Sequence, residues 1–408
     1  MTNKTKRDPL RVLMLSWEYP PHNVGGLGKH VTELAPALVK QGVEVRILTP
    51  RWVGGMGEEV LVDGSTIYRV EPPQVDMPDF FTGAWRTNLS LEQKGNEIFG
   101  QSGTFDIIHA HDWLVAFAAI ALKHAHKTPL LATIHATEYG RSRGYLGGEM
   151  QRAIHNVEWW LTFEAWRVIC CSQFMRAEIS QTVNTPWDKI DIIANGVDAS
   201  IFDGASAAEL QEFRKKFALP NEKIVFHVGR LVQEKGVHIL VESIPHVLRQ
   251  FPMAKFVIAG TGGMLPELKI RAEQLGVSNK VFFTGFIPDE DRNRLFQVAD
   301  VAVFPSLYEP FGIVALEAMA ARTPVVVSSV GGFAEIVQNN ETGMVVYPDS
   351  VESLTWGITH TLARPDWAQA RADNAYRMVL RDYSWDEIAR RTREVYERIR
   401  DERERTAW

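Results

Sequence analysis

The sequence predicts an α/β protein built from two doubly wound domains, each with a parallel sheet covered by helices on both faces. Its length of 408 residues favours two or three domains, and 45% apolar with 23% charged residues is ordinary for a soluble globular chain. Short apolar runs alternate with helical patterns in both halves, which is typical of βαβ units. The alternation stops at a polar stretch, residues 203–221, and then starts again, so a linker is expected there.

The first series of elements begins with a strand-like run at residues 11–16. Apolar residues at helical spacing follow from Leu27 to Leu38, and Gly42 ends the predicted helix. Residues 51–102 carry many glycines and prolines, so this segment is predicted to be loop-rich, with room for one hairpin. The other strands of the series are predicted at residues 44–49, 105–111, 129–135, 167–172 and 190–194.

The second series restarts after the polar stretch and gives the domain boundaries. Helices are predicted at residues 236–250 and in a segment ending at Leu275, and the expected domains are residues 1–205 and 206–384. Residues 385–405 form a highly charged helical pattern, which by itself indicates a solvated surface helix. The predicted strands are residues 224–228, 255–259, 281–284, 301–304, 324–328 and 344–347.

Charge and composition exclude several classes of partner. The net charge of −6 gives no basic excess for nucleic acid or for an anionic membrane surface. The longest apolar stretch, residues 113–122, is far shorter than the roughly 20 residues of a membrane span, so no transmembrane segment is expected. The two cysteines, Cys170 and Cys171, are neighbours in an apolar run, which predicts buried thiols rather than a disulfide framework. A cytoplasmic location is therefore expected.

The carboxyl ends of the predicted strands are the expected binding edges, because ligands of doubly wound sheets lie in the crevice there. Two such domains predict an active site in a cleft between them. After the first strand, Gly25 and Gly26 open a helix, where free amides can cradle a phosphate. A simple strand-to-helix turn explains a glycine pair equally well.

Two cations flank the corresponding edge of the second half. Arg230 follows its first strand and Lys235 precedes its first helix. A diphosphate is bound by such a pair, with arginine as a fork and lysine as a point charge. On spacing alone, a pair of solvated surface charges is slightly favoured.

Two carboxylates, Glu309 and Glu317, lie eight residues apart in a loop and in the helix that follows it. Glu317 stands among apolar residues, where an unpaired charge is costly, so it is expected to be paired or functional. An exposed helix glutamate is the alternative, and the functional interpretation is favoured here.

Three histidines lie near predicted strand ends. His135 ends a strand at the crevice edge of the first half, a position that is more often structural than catalytic. His109 and His111 share a strand face, but no further cluster completes a recognisable coordination shell. No metal site is therefore expected.

Together these segments resemble the retaining glycosyltransferases of the two-domain GT-B type, especially family 4 and its glycogen and starch synthase relatives. The run Glu-Pro-Phe-Gly-Ile-Val-Ala-Leu-Glu at residues 309–317 is the most specific match. The matching pieces occur in family order over nearly the whole chain: Gly25-Gly26-Leu27, His111-Asp112-Trp113, Thr133-Ile134-His135, Asn195-Gly196-Val197-Asp198, Gly229-Arg230 with Lys235-Gly236, and residues 309–317.

The resemblance implies a role for each matched position. It implies transfer of a hexosyl group from a nucleotide sugar with retention of configuration, no bound metal and no cofactor, and a final helix that crosses back onto the first domain. The donor side would consist of Gly25 and Gly26 at the diphosphate or sugar, Arg230 and Lys235 at the diphosphate, Glu317 at the ribose, Glu309 and His135 at the donor sugar, Gly312 within the same loop, and Asp112 near the reacting sugars.

The same resemblance leaves two acceptors open. Gly-Gly-Leu and His-Asp-Trp are similar to α-glucan synthases that use UDP- or ADP-glucose, although Asn23 stands where those enzymes often carry lysine. Sucrose-phosphate synthases, which use a sugar phosphate, usually carry glutamine at the position of Leu27. The candidate acceptor residues are Trp113 and Tyr139 for a stacked glucan, and Arg141 and Arg143, in a loop that is otherwise solvated, for a sugar phosphate.

Two further functions remain open at this point. Nucleotide-sugar epimerases share the two-domain architecture, and fold does not fix function. A catalytically inactive sugar-binding module is the other, although costly charges in a binding cleft argue for a retained ligand. The glucan glycosyltransferase is the favoured interpretation.

Overall fold

The computed structural model describes residues 8–22 and 25–408, so Asn23 lies outside the described part of the chain. It divides into two compact units. Unit 1 comprises the residues up to Asn195 together with Trp385–Trp408, and unit 2 comprises Gly196–Ser384. The boundary expected from the sequence was at residues 205/206. No helix within the described ranges combines the length and apolarity that a membrane crossing requires.

Unit 1 is built on an eight-stranded sheet in the order β3-β4-β2-β1-β5-β6-β7-β8. All neighbouring pairs are parallel except the β3–β4 hairpin, which is antiparallel. The central strands are buried on both faces and therefore consist of nearly continuous apolar residues. The strands are β1 Arg11–Leu15, β2 Glu44–Pro50, β3 Glu58–Val60, β4 Thr66–Val70, β5 Ile107–His111, β6 Leu130–Ile134, β7 Arg167–Cys170 and β8 Ile190–Ile192.

The helices of unit 1 include one that the sequence analysis missed. Residues 51–102 were predicted to be loop-rich, but their second half is the 23-residue helix α2. The glycines and prolines that suggested a loop all precede Asp79, whose carboxylate accepts a hydrogen bond from the Thr82 amide and caps the helix. The helices are α1 Gly26–Lys40, α2 Phe80–Ser102, α3 Ala116–His126, α4 Glu138–Arg141, α5 Glu149–Glu164 and α6 Gln173–Thr182.

Unit 2 is built on a six-stranded sheet in the order β11-β10-β9-β12-β13-β14, with every pair parallel. The doubly wound α/β architecture predicted for both halves is thus confirmed. The strands are β9 Lys223–Val228, β10 Ala254–Ala259, β11 Val281–Gly285, β12 Val301–Phe304, β13 Val325–Ser328 and β14 Met344–Val346.

The helices of unit 2 begin inside the stretch that was predicted to be a linker. Residues 203–221 contain helix α7, in which the Ser206 hydroxyl and the Glu209 carboxylate form a reciprocal capping box. Phe213 on this helix is buried, so the stretch belongs to unit 2. The helices are α7 Ala207–Arg214, α8 Val237–Gln250, α9 Leu265–Gln274, α10 Asp289–Val298, α11 Ile313–Ala320, α12 Phe333–Ile336, α13 Val351–Ala363 and α14 Pro365–Asp382.

The last helix, α15 (Trp385–Arg405), returns to unit 1 and packs against α1. Its charged face is exposed, but Ile388, Tyr396 and Ile399 lie in the same buried cluster as Leu34 of α1. The helix is therefore amphipathic rather than solvated all round, since one stripe belongs to the unit 1 core.

Candidate active site

Two groups predicted for unit 2 form a single ion pair at the carboxyl end of its sheet. The Lys235 ammonium lies 2.8 Å from Glu309 Oε2, although the two residues belong to different loops. The Ser306 hydroxyl donates to the same oxygen at 3.2 Å. Because Glu309 is only 7% exposed, these two contacts replace the water that its carboxylate has lost.

Two glycines bring the loops of this ion pair close to their neighbours. Gly236 has a φ of +65°, and a Cβ there would overlap the Pro305 carbonyl. Gly312 has a φ of +101°, and a Cβ there would overlap the Phe333 ring. Only glycine fits such positions without strain, so the placement of Gly312 has a structural reason alongside its predicted place in a binding loop.

Arg230 is the exposed member of the predicted cationic pair. Its side chain is 51% exposed, and one guanidinium nitrogen lies 3.2 Å from Glu234 Oε1. An exposed i,i+4 ion pair contributes little to stability. The guanidinium of Arg230 is therefore held only weakly, unlike the ammonium of Lys235.

Glu317 has a cationic partner, as expected for a carboxylate in apolar surroundings. It is 2% exposed on α11, and Arg292 Nη2 on α10 lies 3.5 Å from its Oε1. The sequence analysis missed Arg292, because the contact joins two helices and no spacing rule connects them. The only sign of such a partner in the sequence was that a buried glutamate requires a cation nearby.

In unit 1, Gly25 caps the N-terminus of α1 with an extended backbone. Its amide donates to Glu18 Oε2 at 3.1 Å, so a carboxylate occupies part of the position where an anion was predicted. A Cβ on Gly25 would meet nothing within 4 Å. Packing within the described residues therefore does not require glycine here, and its predicted role in ligand binding stays a prediction, as does that of Gly26.

Asp112 follows β5 with a φ of +62°, a conformation that costs a non-glycine residue about 1–3 kcal/mol. Its Oδ1 accepts a hydrogen bond from the His135 amide at 2.7 Å, which joins two of the predicted residues. Burial raises the pKa of this carboxyl to about 6, and the charge of Arg141 opposes the rise. Strain of this kind clusters at functional sites.

Around His135 the structure assembles a cluster of four imidazoles, His30, His109, His111 and His135. His111 Nδ1 lies 3.1 Å from His135 Nε2, and the His30 and His135 ring centroids are 4.8 Å apart. Burial lowers the pKa of His30 and of His135 to about 3, and it holds the pKa values of His109 and His111 well below the usual range. The cluster is therefore neutral at physiological pH.

One nitrogen from each of His30, His111 and His135 lies within 4.8 Å of the others, a set that could hold a metal ion. The sequence analysis considered only His109 and His111 as ligands and missed His30, which lies far away along the chain on α1. In the unliganded protein two of these rings are hydrogen bonded to each other, and His30 Nδ1 is bonded to Asn195.

The candidate acceptor residues differ in exposure. Trp113 is 3% exposed and its ring stacks on Phe81 at 5.8 Å, which leaves it little free face. Tyr139 is 37% exposed. Arg141 is paired with Glu138 and Glu158 at 3.4 and 3.5 Å, whereas Arg143 is exposed. Tyr139 and Arg143 are thus the accessible members of the two sets.

Comparison with protein families finds a match in each unit. Residues 24–201 match the family described as glycosyltransferase family 4, and residues 209–378 match the family described as glycosyl transferases group 1. The two matches cover most of both sheets.

Curated relatives match this chain over nearly its full length. An uncharacterized glycosyltransferase of Methanocaldococcus jannaschii is 40% identical over 95% of this chain and 98% of its own. A glycogen synthase of Mycobacterium tuberculosis is 37% identical over 95% of this chain and 94% of its own.

Solved structures agree in fold at lower identity. A sucrose-phosphate synthase from Thermosynechococcus elongatus has a TM-score of 0.81 and 24% identity, covering 96% of this chain and 99% of that one. The catalytic domain of starch synthase IV from Arabidopsis thaliana, bound to ADP and acarbose, has a TM-score of 0.74 and 20% identity, covering 96% and 100%. Both identities are low enough that these structures support the fold alone.

Proposed function

Since the chain belongs to the GT-B glycosyltransferases of family 4 and group 1, we propose that it transfers a glucosyl group from a nucleotide sugar to an α-glucan, with retention of configuration. The observation that carries this proposal is the pre-paired set of charges in unit 2. Lys235 with Glu309, and Arg292 with Glu317, place two cations and two buried carboxylates at one sheet edge. A nucleoside diphosphate sugar carries an anionic diphosphate, which the cations can bind. It also carries hydroxyls, which can donate hydrogen bonds to the carboxylates.

On the donor side, Arg230 and Lys235 bind the diphosphate and stabilise the negative charge that it gains as it leaves. Gly25, Gly26 and the amides of α1 assist on the same group. Lys235 also holds the Glu309 carboxylate in place, so that it can accept hydrogen bonds from the donor sugar. Glu317 accepts hydrogen bonds from the ribose hydroxyls, and Arg292 holds the Glu317 carboxylate in its orientation. The proposal assigns no role to a metal ion or to a cofactor.

In unit 1, neutral His135 contacts the donor sugar through an imidazole that can donate or accept a hydrogen bond. Asp112 holds the backbone of His135 and lies near the reacting sugars. We assign no enzymic nucleophile, and attack on the face from which the diphosphate departs accounts for retention.

The choice of acceptor depends on two short segments and one relative. Gly25-Gly26-Leu27 and His111-Asp112-Trp113 favour an α-glucan, and the relative at 37% identity is a glycogen synthase. A sugar phosphate bound by Arg141 and Arg143 is the second candidate, and exposed Arg143 supports it. Family membership favours transfer over nucleotide-sugar epimerisation and over an inactive binding module.

The test is incubation with UDP-, ADP- and GDP-glucose, each with glycogen, maltooligosaccharides or fructose 6-phosphate, followed by measurement of nucleoside diphosphate and product. We expect acceptor-dependent release and elongated glucan. Transfer to fructose 6-phosphate alone would overturn the glucan, and an altered nucleotide sugar without acceptor would indicate an epimerase. Lys235→Ala should lower the signal at least about tenfold, because a charge-assisted contact is lost. Lys269→Ala, which changes an exposed lysine on α9, serves as the matched control.

A further inference from the structure

His30 is a buried residue of α1 that contacts both places where the chain passes from one unit to the other. Its Nδ1 lies 2.6 Å from Asn195 Oδ1, and Asn195 is the last residue of unit 1 before the first crossing. Its ring lies 5.5 Å from that of Trp385 in an edge-on arrangement, and Trp385 is the first residue after the return. His30 is 4% exposed and Asn195 is also 4% exposed.

On its other side, His30 touches the imidazoles of the candidate active site. The His30 and His135 centroids are 4.8 Å apart at an interplanar angle of 70°, and the distance to the His111 centroid is 5.4 Å. His111 and His135 are in turn hydrogen bonded to each other. The His30 side chain thus contacts Asn195 and Trp385 on one side. On the other side it contacts His135, the residue proposed to contact the donor sugar.

The hydrogen bond to Asn195 fixes the state of the His30 ring. A carboxamide oxygen only accepts, so Nδ1 must donate to it. The hydrogen bond therefore places a ring proton on Nδ1 and holds the His30 ring between Asn195 and His135. A packed ring with a fixed proton restrains the orientation of the rings that it touches.

We propose that His30 is a positioning residue: it holds His135 in the orientation required at the donor sugar and makes that orientation depend on Asn195 and Trp385. This inference rests on the proposed function, because the contact between His135 and the donor sugar is part of that function. His30 itself touches no substrate in this scheme. Its loss therefore acts on turnover through His135, while unit 2 continues to bind nucleotide.

The test uses three variants of the full chain. His30→Gln keeps a polar side chain but removes the ring, and Asn195→Ala removes the acceptor while leaving His30 in place. His246→Gln, which changes an exposed histidine of α8, is the matched control. If His30→Gln fails to fold, Asn195→Ala still interrupts the same contact, and the two together form a double-mutant cycle when both fold.

The first readout does not depend on activity. Nitrogen-15 ring signals of the histidines should show His30 with its proton on Nδ1 in the wild type, and the His135 signals should shift in His30→Gln and in Asn195→Ala but not in His246→Gln. Unchanged His135 signals in both folded variants would overturn the proposal. Shifted signals in a protein that transfers no sugar would support the contact and overturn the proposed function instead.

The second readout is kinetic. We expect kcat to fall at least about tenfold in His30→Gln, with the donor KM and the affinity for free nucleoside diphosphate within about twofold of wild type. The two single changes should be less than additive, because they interrupt one path. Wild-type kcat in both variants, or a loss of nucleotide affinity equal to the loss of kcat, would overturn the assignment.

Discussion

The two units hold their buried polar groups in opposite ways. In unit 2, each of the two buried carboxylates lies beside a cation, Glu309 beside Lys235 and Glu317 beside Arg292. In unit 1, the imidazoles around His135 lose their charge, since burial disfavours the protonated form. Under the proposed function, the charged pairs of unit 2 suit the diphosphate and the ribose hydroxyls of the donor, and the neutral rings of unit 1 suit an uncharged sugar.

Low pH is expected to produce the largest difference between the two units, because the buried neutral histidines around His135 belong to unit 1. Acid should therefore destabilise unit 1 more than unit 2. A histidine with a lowered folded pKa contributes stability that is present above pH 6.5 and is lost as the pH falls. Protonation of Asp112, whose pKa is raised to about 6, has the opposite effect on stability. Between about pH 4 and 6 it offsets the contribution of one of the four histidines. The four histidines with lowered pKa outnumber the two unit 1 carboxyls with raised pKa, Asp112 and Glu158, so unfolding takes up protons and the stability of unit 1 falls as the pH falls below about 6.5.

The measurement is the free energy of unfolding between pH 7.5 and 5, combined with hydrogen exchange. Amides of unit 1 should lose protection before those of unit 2, whose one comparable histidine among the described residues is His227, with a pKa lowered to about 4. A flat stability curve from pH 7 to 5, or earlier exchange in unit 2, would contradict the prediction. His135→Asn should reduce the slope by about 1.4 kcal/mol per pH unit.

Removing a cation tests unit 2. Lys235→Ala should weaken binding of nucleoside diphosphate by roughly 1.5–3 kcal/mol, or about 10–150-fold, because a charge-assisted contact is lost. It should also lower the melting temperature, since Glu309 stays buried without its partner. Arg230→Ala should cause a similar loss of affinity with an unchanged melting temperature, because its guanidinium is half exposed. Full activity in both variants would disprove the assignment.

Neutralising the two carboxylates separates their roles. Glu317→Gln should weaken binding of free nucleoside diphosphate about tenfold, because an amide cannot replace an ion-paired carboxylate at the ribose. Glu309→Gln should leave that binding unchanged and lower kcat, since the proposed ligand of Glu309 is the donor sugar. Isothermal titration and steady-state kinetics measure the two effects. If both variants bind the free nucleotide as the wild type does, the division of roles is wrong.

The smallest effect is expected from the exposed loop of unit 1. With a glucan acceptor, replacing both Arg141 and Arg143 with alanine should change the acceptor KM by less than about threefold, whereas Tyr139→Ala should raise it by more. Donor affinity should not change in either case. A large rise in acceptor KM in the double variant alone would instead indicate a phosphate on the acceptor.

Elements with local signals were predictable from the sequence, and contacts across the chain were not. The strands appear close to where the apolar runs placed them, because parallel strands are buried on both faces. Helix α2 was missed since glycines and prolines before Asp79 dominated its segment. Glu317 was recognised as a buried charge, but its partner Arg292 lies on another helix. His30 was missed for the same reason, as its neighbours come from distant strands.

The return of α15 to unit 1 sets an order for the synthesis of this chain on the ribosome. Tyr396 is fully buried and its hydroxyl lies 2.8 Å from His109 Nδ1 on β5, so the first sheet lacks part of its core until the final segment has emerged. Unit 2, by contrast, is continuous from Gly196 to Ser384 and can complete its contacts earlier. The half of the protein that is translated first is therefore the half that finishes folding last, and a chain that stops short of residue 385 carries an open apolar face on α1.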